Sequence, residues 1–214
     1  TLTFTTGTIT TGTYKLTTTG SVSRTSGHVV GRLEKSIATG TSVVKSFEIG
    51  DASNYTPVTV TFGNVTGTGN LLASTTTGSH PNLGTSNLDP TKKLNRWYTL
   101  TNTATAFDTA HLLLNFVAGD VDFGATTGNF LVKKYQGAAW SSPVTSNPQA
   151  TSIEANAVSS FSDFAVGEAS TIVYYTLNMT NVGNGHVDKN PDQANYASGT
   201  PVELTAVPDL HNHF

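Results

Sequence analysis

Residues 56–65 read TPVTVTFGNV, and this stretch decides the fold class. Val58, Val60 and Phe62 alternate with Thr59 and Thr61, so an extended backbone sends the apolar side chains to one face and the hydroxyls to the other. Valine and threonine are both β-branched and suit a pleated, half-buried surface. The segment reads as a strand with one wet face and one greasy face.

The same period recurs along the chain. SFEIG (46–50), GNLLAST (69–75), LNRWYTLTN (94–102), AHLLLNFVAGD (110–120), NFLVKKYQGAAWSSP (129–143) and ATSIEANAVSSFSDFAVGE (150–168) all carry strand patterns, with turn-rich TTGSHPNLGTSNLDPTKK (76–93) among them. In LNRWYTLTN the alternation puts Leu94, Arg96, Tyr98 and Leu100 on one side and Trp97 on the other. Gly137 marks a tight turn between two strands. Strands spaced by roughly 8–15 residues between Gly, Pro and Asn turns are the sequence form of an antiparallel β-sandwich. No stretch holds a helical period, although Thr103 to Leu114 admits a short helix without a cap at its far end.

Composition agrees. The chain has 214 residues, 36% apolar and 12% charged, and much of the rest is Thr, Ser, Asn and Gly. A chain of this length can bury roughly two-thirds to three-quarters of its unfolded surface. Net charge is −3, and no basic cluster exceeds Lys92-Lys93 or Lys133-Lys134, so nucleic acid and anionic lipid find no electrostatic footprint. The absence of cysteine excludes disulfides and thiolate metal sites, and suits a secreted bacterial protein with a core large enough to need no staples. No apolar run reaches the ~18 residues of a membrane-spanning helix. Thr1 opens directly in strand pattern, with neither an initiator Met nor a signal peptide, which leads us to expect that an N-terminal part has been removed.

Residues 1–33 differ from the rest of the chain. Leu2, Phe4, Ile9, Tyr14, Leu16, Val22 and Val29 come in short bursts between threonines, punctuated by glycines at 7, 12, 20, 27 and 31. Such bursts fit turns of a β-solenoid or short sandwich strands, and their irregular period leaves both open. The expected organisation is all-β: solenoid-like short strands over 1–33, an antiparallel β-sandwich over 34–168, and an incomplete small β repeat over 169–214.

YTPVTVTFGNV, HPN, LDPTKKLNRWYTLTN, FVAGDVD, NFLVKKYQGAAW and SSFSDFAVGE, in that order over about 28–168, resemble a β-sandwich module of long secreted and cell-surface proteins of Bacteroidetes and related bacteria. The tail YTLNMTNVGNGHVDKNPDQANYASGTPVELTAVPD (175–209) resembles the bacterial repeat of internalin B type, with Phe214 at the start of that repeat's last motif and the rest missing. The resemblance implies parts of adhesins or polysaccharide-acting proteins without a settled catalytic role. It also implies further domains of the same polypeptide at both ends.

Candidate chemistry is sparse. There is no G-x-S-x-G elbow, and Ser79 beside His80 reads as a polar loop, since adjacent residues do not face one another for proton transfer. Glycoside hydrolysis needs two converging carboxyls; Asp120, Asp122 and Glu154 are the candidates, with Asp163 and Glu168 also near strand ends. Calcium prefers clustered oxygens, which AGDVDFGATTGN (118–129) offers through Asp120, Asp122 and Asn129, although Asx-turns explain the same residues. Asp209, His211 and His213 hold two-thirds of a zinc site in a tail. His28, His111 and His186 stand alone and read as structural, and Asn64 and Asn178 open Asn-x-Thr triplets.

Sugar binding asks for aromatic platforms beside hydrogen-bonding groups. Trp97, Trp140 and Tyr135 are the candidates, either Trp being equally readable as core, and Tyr55, Tyr98 and Tyr135 read as flanking turns. The expected function is a non-catalytic extracellular, cell-surface module that binds a polysaccharide or surface glycan. A carboxylate-pair glycoside hydrolase and a fibre subunit joined by strand exchange are the alternatives. No cofactor is expected beyond calcium at the 118–129 loop.

Overall fold

The computed structural model describes residues 1–171 and 174–210, which divide into two units, Thr1–Ser170 and Thr171–Phe214. Strands dominate the first, and its only helical pieces among the described residues are three-residue 3-10 turns. The segment Thr103 to Leu114 is not a helix: Ala106–Phe107 and Ala110–Asn115 are strands, and the latter alternates buried and half-buried positions. Period two outcompeted the helical reading because Ala110, Leu112 and Leu114 all face the core.

The chain begins with two circuits of short strands. The first holds β1 (Leu2–Phe4), β2 (Thr8–Thr10) and β3 (Leu16–Thr18); the second holds β4 (Val22–Arg24), β5 (His28–Val30) and β6 (Leu33–Ile37). Each strand of the first circuit lies parallel to its counterpart in the second: Leu2 opposite Val22, Thr8 opposite His28, Leu16 opposite Leu33. The offset is 20 residues in the first two ladders and 17 in the third. Residues 11–15 of the first circuit correspond to Gly31-Arg32 alone in the second, so the pattern looks irregular in sequence while the ladders stay in register.

β7 (Gly40–Phe47), β8 (Ile49–Gly50), β9 (Val58–Gly67), β10 (Gly69–Thr77), β11 (Leu88–Thr103), β12 (Ala106–Phe107) and β13 (Ala110–Asn115) come next. After them come β14 (Leu131–Gln136), β15 (Ala139–Ser141), β16 (Val144–Ser146), β17 (Ser152–Val158) and β18 (Asp163–Ala169). One sheet runs β15-β14-β18-β11-β10-β6-β3 and is antiparallel except for β6 with β3. A second runs β12-β9-β13-β17-β16, with β7 on the other side of β9. β8 extends the β2-β5 ladder.

Both sheets bury one face in the same cluster. Leu71, Leu94, Tyr98, Leu100, Val132 and Phe164 enter it from one, and Val58, Val60, Phe62, Leu112, Leu114 and Ile153 from the other; Phe4, Val29 and Ile49 extend it into the circuits. Phe62, Phe107 and Phe161 pack ring against ring with centroids 5.0–5.9 Å apart. Residues 1–33 therefore share a core with the strands of the two large sheets.

The second unit holds two short antiparallel pairs, Tyr174–Tyr175 with Tyr196–Ala197 and Gly185–Asn190 with Glu203–Pro208. Among its described residues Tyr196 alone is a buried large apolar side chain, its hydroxyl donating to the Pro191 carbonyl and accepting from the Gln193 N–H. Asn190-Pro191 is cis.

Tyr98 is not at a turn. It lies mid-strand and fully buried, because the alternation that turns Trp97 to the outer face turns its neighbour inward, and its hydroxyl donates to the Asn115 carbonyl at 2.6 Å. Burial pushes its ionisation far above the ordinary tyrosine range. Tyr98→Phe removes that donor and leaves the half-buried Asn115 carbonyl without it. We expect a loss of about 1–2 kcal/mol, measured as a lower urea midpoint with an unchanged slope.

Candidate functional site

The outer face of the seven-stranded sheet brings together the three aromatic candidates. Trp97 on β11 stands opposite Ala165 on β18, and Thr99 opposite Asp163. Asp163 in turn faces Tyr135 on β14, which faces Trp140 on β15. The β14–β15 connection is a two-residue turn in which Gly137 and Ala138 both have positive φ, the geometry that matches the twist of the flanking strands. That turn sets Trp140 beside Tyr135, ring centroids 5.0 Å apart.

The loop before β11 covers this face, and His80 is its plug. The imidazole is buried, with its centroid 4.9 Å from Trp97, 5.0 Å from Tyr135 and 4.9 Å from Trp140. Leu83 packs beside it on Leu88, Ala165 and Trp140. The Asn82 N–H donates to His80 Nδ1 at 3.1 Å, so the neutral ring carries its proton on Nε2, 3.3 Å from Asp163 Oδ2. Thr99 donates to the other Asp163 oxygen at 2.7 Å, and the Trp140 indole N–H donates to the Asn82 carbonyl at 3.0 Å. With Nδ1 already accepting, the ring has no lone pair for a hydroxyl proton; it locks the three aromatic rings in place.

Trp97, Tyr135 and Trp140 are half-buried, neither inner core nor free-standing. Beyond Thr99 and Gln136 lies a shallow depression of about 390 Å³, lined in part by Thr101, Asn102, Ser160 and Ser162 and by no carboxylate. Lys134 donates to Ser160, whose hydroxyl donates to Gln136.

Of the candidate acids Asp163 alone stands among the rings, held by Thr99 and His80; the others lie elsewhere and are also engaged. Asp120 closes the Ala118–Asp120 turn, accepts the Val117 N–H, and takes Arg96 in a two-point pairing at 2.7 and 3.0 Å. Arg96 is almost fully buried and also donates to Thr75 and Asp51. Asp122 accepts from Lys93 at 3.2 Å and from Asn95; burial opposes its charge, but these bonds hold it below the ordinary carboxylate range. Glu154 stands on the other sheet with Asn147, Ser146 and His111, which lower its pKa in that order of contact despite some desolvation. Asp120 and Glu154 share no partner.

For a calcium ion the donor set at 118–129 is unfavourable. Asp120 and Asp122 each already touch a cationic side chain, whose charge a second cation would oppose. Asn129 lies in the next turn, its N–H on the Thr126 carbonyl. Glu168 accepts the Thr126 N–H. No group of three His, Cys, Asp or Glu is placed to hold a metal among the described residues, and His211 and His213 lie outside them.

The chain matches no protein-family model, no curated protein and no solved structure.

Burial works against the charge of Asp51, yet donation from Arg96, Ser53 and Asn54 outweighs it and pulls the pKa from 3.8 to about 2. A depressed folded pKa contributes stability that is complete above the ordinary value and disappears as pH falls through the folded one. Unfolding midpoints should therefore drop between about pH 5 and pH 2, and Asp51→Asn should flatten part of that slope. Arg96→Met leaves two carboxylates without their cation and should cost about 3–5 kcal/mol at neutral pH. A change below about 1 kcal/mol would show that the cluster is solvated.

Proposed function

We propose that the chain is a non-catalytic binding module of a secreted, cell-surface-associated protein, that its ligand is a polysaccharide or surface glycan, and that Trp97, Tyr135 and Trp140 form the contact surface. In this reading the two principal sheets are a β-sandwich of the type the sequence resembles. The first two circuits are turns of a β-solenoid, and the segment after Ser170 is part of a small β repeat.

One observation carries the reading: three half-buried rings gather around a single buried imidazole that holds them in place, beside a depression rich in hydroxyls and amides. A pyranose offers C–H groups to rings and hydroxyls to amides, and bracing reduces the side-chain entropy lost on contact. The acids support the same reading. Hydrolysis of a glycosidic bond asks for two carboxyls on either side of it. Asp120 and Asp122 are instead held by Arg96 and Lys93, and Glu154 belongs to the other sheet.

Retention on insoluble cellulose, xylan, chitin and β-glucan tests this. We expect retention on at least one, weakened tenfold or more by Trp140→Ala and by Tyr135→Ala, with no reducing ends released over time. Soluble sugars that vanish in Asp120→Asn or Glu154→Gln would replace the module with an enzyme. Retention untouched by both aromatic substitutions would move the contact surface elsewhere.

A further inference from the structure

All three parallel ladders end on the first circuit. Among the described residues β1 pairs only with β4, β2 only with β5 and β3 only with β6, so each has a backbone edge with no strand beyond it. Three unpaired edges in one circuit are a template for further strands.

The side chains show the same discontinuity. Ile9, Val29 and Ile49 stack in one column through β2, β5 and β8; Val29 and Ile49 are fully buried, whereas Ile9 is 39% exposed. Leu33 is buried, and Leu16 above it only half so. Leu2 and Leu16 border an open hollow of about 260 Å³ at that end, beside which the Thr18 hydroxyl is enclosed without a hydrogen-bond partner. The interior of the circuits is thus unsealed where a stacked-repeat protein carries either a polar cap or another repeat.

We propose that this end receives a further circuit of the same polypeptide. It would be about 20 residues long by the spacing of the existing circuits, with strands parallel to Leu2–Phe4, Thr8–Thr10 and Leu16–Thr18 and apolar side chains over Leu2, Ile9 and Leu16. The junction of first and second circuits already demonstrates the geometry, and the new one continues it. A second copy of the chain fits less well. Two of the three ladders are occupied on their far side, by β8 and by β10, so a copy has no matching parallel edge to offer; two free edges meeting across a two-fold axis would run antiparallel. The inference rests on the solenoid reading of the circuits and is independent of the glycan reading.

The test is a chain in which residues 1–20 are duplicated ahead of Thr1, compared with the parent by amide hydrogen exchange. In the parent, strands of the second circuit should be protected and those of the first should exchange faster. In the duplicated chain, amides of the original Leu2–Phe4, Thr8–Thr10 and Leu16–Thr18 should slow tenfold or more, and Ile9→Lys in the original circuit should abolish that gain while leaving the main unfolding transition in place. Added residues exchanging at random-coil rates, with the original circuit unchanged, would overturn the inference. So would a gain that survives Ile9→Lys, or a parent that dimerises through this edge. Absence of protection in the parent's second circuit would overturn the solenoid reading itself, and polysaccharide retention on the same proteins bears on the ring cluster alone.

Discussion

A guanidinium that never loses its proton sits inside the protein at Arg96, and its environment must answer for it. Strand alternation forces it inward between Leu94 and Tyr98. An unpaired charge there would be prohibitive, so the chain brings carboxylates from two separate loops, Asp51 and Asp120, together with the Thr75 hydroxyl from the adjoining strand. Two loops are thereby fixed over one end of the core. The cluster specifies where those loops go more than it adds to stability, because the desolvation of three charges offsets much of their attraction.

The Asp51 loop carries this constraint into the circuits. Its backbone carbonyl lies 2.7 Å from His28 Nε2, and its carboxylate also accepts the Ser53 and Asn54 N–H groups. His28 leans on Tyr55, over whose ring Arg24 lies at 3.4 Å. Gly50 is required at this crossing, since a Cβ there would collide with the Asn54 carbonyl oxygen and stand 2.9 Å from the His28 ring. Nearby, Lys35 and Glu48 pair at 2.6 Å in near-complete burial, which drags the lysine pKa downward even as Glu48 pulls against it. Paired ions thus mark the seam between the parallel circuits and the antiparallel sheets.

Period two was the legible part. It revealed the strands, the shared side of Leu94, Arg96, Tyr98 and Leu100, and the tight turn at Gly137, because each depends on neighbours in sequence. What it could not show are partners brought from a distance. Asp120 and Asp122 looked like free oxygens in a loop, yet Arg96 and Lys93, 24 and 29 residues away, claim them. An Arg in an otherwise apolar strand face was the available signal that carboxylates had to come to it, as Asp120 and Asp51 do. His80 read as a loop residue, and only the register of four strands reveals that three rings converge on it. The circuits were obscured by a shorter connection at Gly31-Arg32, which shifts the third ladder's offset while leaving its pairing intact.

The ring cluster and the open circuit edge lie at opposite ends of one sheet. Trp97, Tyr135 and Trp140 occupy the side formed by β11, β14 and β15, while β3 forms the other margin, with β10 and β6 between. Neighbouring strands are about 4.8 Å apart, so a circuit added at β3 would stand several strands from the rings. The two proposed surfaces also call for different chemistry: a strand edge suits a partner of matching backbone direction and register, whereas rings and hydroxyls suit the faces of a small polar ligand. Occupying one therefore neither blocks nor requires the other. The two proposals are therefore compatible on one sheet, which leaves one margin for extension along the polypeptide and the other for a ligand.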